Sequence, residues 1–166
     1  IMISTETFFH NLIKNNITFF SGVPDSLLKN ICACISENAG DNNHIIAANE
    51  GNALALGIGY YLSSGKLPLI YMQNSGLGNI VNPLLSLADV DVYSIPILLM
   101  IGWRGQPGIK DEPQHKKQGR ITIEMLETME IPHQILSKDT TNEQAKEIII
   151  KASKEALKNN APYAIV

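Results

Sequence analysis

Short apolar runs alternate with amphipathic stretches along the whole chain. The run Ile95-Pro-Ile-Leu-Leu-Met-Ile101 is apolar throughout, the mark of a strand buried on both faces. Shorter β-rich runs predict further strands over 17–20, 44–48, 67–72, 133–136 and 163–166. Between them the period becomes helical. Ser4 caps a helix reaching about residue 15, with Phe8, Phe9, Leu12 and Ile13 on one stripe. Pro24 suits a first helical position ahead of Leu27, Leu28, Ile31 and Ile35. Glu50 opens a helix of small residues to about residue 64, and others are expected over 78–90, 122–129 and 141–158. The polar stretch 102–119 reads as a long loop, a length that in compact domains is usually functional or disordered. Strand–helix alternation with wholly apolar strands predicts an α/β fold: three αβα layers around a parallel, doubly wound sheet, one domain over 1–166.

Composition narrows the classes. A chain of 166 residues is the size of one domain and long enough for a real core. A net charge of −3 gives no overall electrostatic grip on nucleic acid. No apolar run approaches the ~18–20 residues of a membrane helix, and Ile1-Met-Ile-Ser-Thr-Glu-Thr lacks the basic and apolar regions of a signal peptide. Cys32 and Cys34 sit two apart in a helical pattern, so their side chains diverge. They read as packing residues rather than a disulfide or zinc pair, and a reducing cytoplasm is the expected compartment. No metal-ligand spacing is found.

Doubly wound sheets bind ligands beyond the carboxyl ends of their strands, so chemistry is sought in the loops there. After the first strand comes Gly22-Val-Pro-Asp25-Ser26, where Asp25 is either a helix cap or a carboxylate presented to a cleft. After the second, Glu50 is either an acid that merely suits the positive end of a helix or a working carboxyl, and it lies among Ala47, Ala48, Gly51, Ala53 and Ala55. Such small apolar neighbours allow close backbone approach and suit a carboxyl that donates a proton or hydrogen bond. In Gln73-Asn74-Ser75-Gly76-Leu77-Gly78-Asn79 the glycines either shape a turn or open backbone amides to a ligand. The third glycine of a dinucleotide fingerprint is missing and no Gly-Lys-Ser/Thr phosphate loop occurs, which sets aside nucleotide and flavodoxin-like readings. The stretch 103–120 gathers His115 with Arg104, Lys110, Lys116, Lys117 and Arg120. It is either a solvated charged face or a collector of a small anionic substrate, and His115 either a plain loop residue or an acid–base group.

These loops in this order, with Trp103-Arg104-Gly105, Asp111-Glu-Pro-Gln-His115 and Gly119-Arg-Ile-Thr122, resemble the N-terminal pyrimidine-binding (PYR) domain of thiamine-diphosphate-dependent 2-oxoacid decarboxylases. Within that family they are most similar to the phosphonopyruvate and sulfopyruvate decarboxylases. The resemblance spans nearly the whole chain. It implies thiamine diphosphate with Mg²⁺ as cofactors, Glu50 hydrogen-bonding N1′ of the aminopyrimidine, and Val23, Pro24, Asn74, Gly76, Gly78 and Asn79 around the cofactor. Asp25 and His115 match residues that handle protons, and which of them protonates the decarboxylated product is open. Ser26, Arg104, Lys110, Gln114 and Arg120 are candidates for the distal anion, for which the arginine fork is well shaped. The implied reaction converts 3-phosphonopyruvate to phosphonoacetaldehyde and CO₂. The alternatives are 3-sulfopyruvate to sulfoacetaldehyde, and a noncatalytic α/β binding module.

Family members hold the diphosphate and metal through a Gly-Asp-Gly segment, which this sequence lacks. Its nearest string, Ala39-Gly-Asp-Asn-Asn43, falls in a helix-to-strand connection at the wrong end of the sheet. The expectation is therefore half of a cofactor site, with the metal ligands on a C-terminal domain or a beta subunit, in a homo-oligomer or heteromer. The apolar ending Ala161-Pro-Tyr-Ala-Ile-Val166 points to a fragment of a longer chain, a natural alpha subunit of this length being the alternative.

Overall fold

Strands β1 (Phe20–Gly22), β2 (His44–Ile46), β3 (Leu69–Gln73), β4 (Leu98–Gly102), β5 (His133–Gln134) and β6 (Tyr163–Ile165) form one sheet in a computed structural model that describes residues 3–166. Ile1 and Met2, which begin the segment read above for a leader, lie outside the described residues. All pairings are parallel, in the order β2-β1-β3-β4-β6-β5. Chain order reverses between β1 and β3, which places the switch-point crevice beside the loops that follow them. The helices are α1 (Thr5–Lys14), α2 (Lys29–Asn38), α3 (Glu50–Ser64), α4 (Leu77–Pro83), α5 (Pro113–Thr128) and α6 (Asn142–Asn159).

Two-residue alternation divides the core into two layers. Ile70, Met72, Leu99, Ile101 and Ala164 point to one face and pack with Ala53, Leu54 and Ile58 of α3, Leu77 and Ile80 of α4, and Leu126 of α5. Leu69, Tyr71, Leu98, Met100 and Ile165 point to the other and meet Phe8 and Leu12 of α1, Ile35 of α2, and Ile149 and Ala152 of α6. Helices on both faces of a parallel sheet are the αβα sandwich the pattern predicts. Among the described residues, no helix is long and apolar enough to cross a membrane.

Several boundaries differ from the sequence reading. Strand β1 lies at Phe20–Gly22 rather than 17–20, and α2 begins at Lys29 rather than at Pro24. The intervening turn is held by Asp25, whose Oδ2 accepts from the Leu27 amide at 3.0 Å and so competes with helix formation there. Strand β2 stops at Ile46, a half-exposed edge, and β5 is only His133–Gln134. The helix expected over 78–90 is instead α4 followed by a π-helical turn at Leu84–Ala88, with a 3₁₀ turn at Asn74–Gly76 leading into it. Pro83 brings no N–H to bond the Asn79 carbonyl, which approaches Gly51, where a Cβ would sit 3.1 Å away. The largest correction is α5. It starts at Pro113, so Gln114, His115 and Arg120 lie on a helix, and the connecting loop is 103–112. Proline at the first helical position presets φ and loses no helical hydrogen bond.

Cys32 and Cys34 are free and buried in α2. Burial pushes the Cys32 thiol up to about 11 and moves Cys34 in the same direction. Both stay protonated at neutral pH, so iodoacetamide at pH 8 is expected to label them at least about tenfold slower in the folded chain than in urea. Equal labelling rates under the two conditions would contradict the burial.

Candidate active site

Asp25, between β1 and α2, turns its carboxylate toward the carboxyl end of β4. It is 9% exposed, and a Cβ on Gly102 would lie 2.6 Å from its Oδ2. Next to it, Ser26 Oγ accepts from Arg104 Nη1 at 2.7 Å, joining the loop after β1 to the loop after β4. Arg104 also donates through Nε and Nη2 to the two oxygens of Asp111, at 2.9 and 2.7 Å. The same carboxylate accepts from the amides of Gly105 at 2.8 Å and Glu112 at 2.7 Å. The hydrogen bond from Arg104 first of all, then the amides, hold the Asp111 carboxyl well below the usual carboxylate range, and Asp111 raises Arg104 in turn. A carboxyl lowered in this way stabilises the fold above its unfolded value, and that contribution is lost only as pH falls well below the ordinary carboxylate range.

The loop is seated on α5 by glycine. Gly105 takes φ +68°, and a Cβ there would overlap the His115 carbonyl. Trp103 Nε1 donates to the Gly119 carbonyl at 2.7 Å. His115, half-buried in the first turn of α5, donates its amide to the Glu112 carbonyl at 3.0 Å.

On the far side of β3, Glu50 opens α3, with Asn49 capping it through the Asn52 amide at 2.9 Å. Glu50 Oε2 accepts from Asn79 Nδ2 at 2.7 Å, and Oε1 carries no hydrogen bond among the described residues. Gly76 lies directly against this carboxyl, so that a Cβ there would come within 2.7 Å of Oε1. Asp25 and Glu50 thus follow the carboxyl ends of neighbouring strands, β1 and β2. An apolar cavity of about 320 Å³ opens beside Gly102, lined by Leu27, Leu28, Ile31, Trp103 and Val166, and none of Glu50, Asn79 or His115 lines it.

Residues 2–128 match the family described as thiamine pyrophosphate enzyme, N-terminal TPP binding domain. The chain belongs to this family. It is 38% identical over 143 residues to a phosphonopyruvate decarboxylase of Streptomyces viridochromogenes, covering 86% of this chain and 34% of that protein. It is 33% identical over 165 residues to the sulfopyruvate decarboxylase subunit alpha of Methanococcus maripaludis, covering 99% of this chain and 94% of that protein. The corresponding subunit of Methanocaldococcus jannaschii is 36% identical over 159 residues, covering 95% and 89%. The chain therefore spans about a third of the phosphonopyruvate decarboxylases it matches and nearly all of these two alpha subunits.

The site suits the pyrimidine end of such a cofactor. One Glu50 oxygen is held by Asn79, the other makes no hydrogen bond among the described residues, and Gly76 leaves room for the carboxyl where a side chain would collide with it. Among the described residues, no group of three or more His, Cys, Asp or Glu is placed to hold a metal ion. Val23 and Pro24 lie on the loop into Asp25, the Val23 amide donating to the Tyr71 carbonyl at 3.2 Å. Gly78 and Asn79 are exposed at the start of α4, and Gly78 has open space where its Cβ would be. Lys110, Gln114 and Arg120 are exposed on the loop and α5.

Asn74 is turned inward. It is 1% exposed, and its amide nitrogen donates to the Arg104 carbonyl and to Thr122 Oγ1, both at 2.8 Å. Its oxygen accepts from the Arg104 amide at 3.2 Å. Every polar atom of this side chain is used inside the domain, where it anchors the Arg104 loop. Arg104 is likewise committed in large part to Asp111. Sequence reasoning misses Asp111 and Thr122 as organising residues. Both lie in stretches singled out above, but nothing in a linear sequence reveals which loop they fasten.

Proposed function

We propose that this chain is the pyrimidine-binding part of a thiamine-diphosphate-dependent decarboxylase that converts 3-phosphonopyruvate to phosphonoacetaldehyde and CO₂. The observation that carries the reading is the Glu50 carboxyl, fixed by Asn79 through one oxygen, given room by Gly76, and with its other oxygen unbonded among the described residues. Bound thiamine diphosphate supplies the electron sink for the loss of CO₂. The chain's own residues position and move protons. Glu50 Oε1 holds a proton or hydrogen bond toward a pyrimidine nitrogen, with Asn79 fixing the rotamer. Asp25 and His115, on the loop after β1 and the start of α5, are the groups for delivering the proton that replaces CO₂. Ser26, Arg104, Lys110, Gln114 and Arg120 make up the anion-binding side. A domain or subunit outside 1–166 carries the diphosphate and Mg²⁺, and the assembled enzyme is oligomeric and cytoplasmic.

A second reading, 3-sulfopyruvate as substrate with this chain as an alpha subunit beside a beta subunit, is favoured by one observation. The chain covers 94% of a sulfopyruvate decarboxylase subunit alpha. Calorimetry with thiamine diphosphate and Mg²⁺ tests what the readings share. Binding and CO₂ release are expected when the chain is joined to, or mixed with, its diphosphate-binding partner, and not with the chain alone. A completed enzyme that binds no cofactor would overturn both, and its relative rates on the two acids decide between them.

A further inference from the structure

Arg104 is fixed more firmly than a substrate-binding side chain on a glycine-rich loop needs to be for stability alone. Its backbone is clamped on both sides by the buried Asn74. Its guanidinium makes a two-point pair with Asp111, and the two side chains are only 19% and 14% exposed. Asp111 accepts four hydrogen bonds in all, two from Arg104 and two from the amides of Gly105 and Glu112. It therefore sets the loop and the guanidinium together. Nη1 reaches across to Ser26 Oγ, beside Asp25. One N–H on each Nη nitrogen is left for a ligand, and paired donors of this kind suit the oxygens of a tetrahedral anion.

We propose that Asp111 is a positioning residue for substrate recognition: it holds Arg104 so that the remaining guanidinium N–H groups, with Ser26, meet the distal phosphonate or sulfonate. This rests on the decarboxylase reading above. Two effects of Asp111 on an anion oppose each other. Its charge repels the ligand, while its pairing removes rotamer freedom that Arg104 would otherwise lose on binding. Because the Asp111 charge is balanced by the guanidinium it pairs with, and Asp111 also fixes the loop through the Gly105 and Glu112 amides, orientation outweighs repulsion.

The test uses the completed enzyme with Asp111→Asn, Arg104→Met and the double variant. Asp111→Asn is expected to raise KM for the anionic 2-oxoacid, and the dissociation constants of phosphonoacetate and sulfoacetate, about tenfold, with kcat within about threefold. Inhibition by oxamate, which lacks the distal anion, stays unchanged. Since the favourable effect of Asp111 acts through Arg104, adding Asp111→Asn to Arg104→Met raises KM no further. Tighter anion binding in Asp111→Asn, or equal weakening for oxamate, overturns the proposal. So do independent, multiplying effects in the double variant. If Asp111→Asn fails to fold, Arg104→Lys with Asp111 intact supplies the comparison: it keeps the charge, loses the two-point pair, and is expected to show the same selective loss for the tetrahedral anions. A wild-type enzyme that binds phosphonoacetate by calorimetry but decarboxylates neither acid overturns the decarboxylase reading and leaves this one standing, whereas one that binds neither analogue overturns this one.

Discussion

Glu50→Gln in the completed enzyme is expected to lower kcat by at least about a hundredfold, the lower end of what a positioned proton-transfer group contributes, with little change in thermal stability. The argument starts from shape. Glutamine keeps the length of the side chain, and its carbonyl oxygen still accepts from Asn79 Nδ2, so the rotamer and the start of α3 survive. What is lost is the ionisable proton at the end that faces the ligand. Gly76 packs against the same carboxyl, so the neighbour on that side brings no side chain of its own. Thiamine diphosphate affinity, measured by calorimetry, is expected to fall by much less than kcat. An unchanged kcat would remove Glu50 from the reaction. Loss of the folded signal in circular dichroism would mean instead that the substitution tests stability.

How much of this is readable without the structure depends on where the information sits. The sheet is legible because its central strands are apolar without interruption, and because alternating faces of Leu69 to Met72 and Leu98 to Ile101 each find a helix layer. Asp25 and Glu50 are legible because strand ends in such a sheet are where ligands bind. The start of α5 is not. Its first turns are charged and exposed, and its buried positions are Gly119, Thr122 and Leu126, of which only the last is a large apolar residue. A helix seated on backbone by a glycine leaves no hydrophobic stripe to find. Asn74 is ambiguous for a related reason: a buried asparagine satisfied by a distant loop looks, in sequence, the same as one facing a ligand. The Arg104–Asp111 pair depends on the fold of a loop that turns at Gly105 and Gly108, both with positive φ, and such turns leave little trace in hydrophobic periodicity.

That glycine seating gives the largest stability effect expected here, and it runs against helix propensity. Alanine in place of glycine in a helix interior is normally worth about 0.5–1 kcal/mol of stability. Gly59 of α3, exposed and with nothing within 4 Å of the place a Cβ would take, is a site where Gly59→Ala should deliver that gain. Gly119→Ala should do the reverse. A Cβ there would overlap the Gly105 carbonyl and lie 2.7 Å from the Gly105 Cα. These are backbone atoms, so no rotamer change relieves the clash, and Gly105 itself is confined by its positive φ and by the His115 carbonyl behind it. The loop must lift from α5, at a cost of about 1–3 kcal/mol beyond the propensity gain. For a chain of this size that lowers the melting temperature by roughly 2–12 °C. Lifting also pulls at the Trp103 bond to the Gly119 carbonyl and displaces Arg104. Paired thermal melts of the two variants therefore carry opposite signs for the same chemical change, and a Gly119→Ala chain as stable as Gly59→Ala would show that the loop does not rest on the helix.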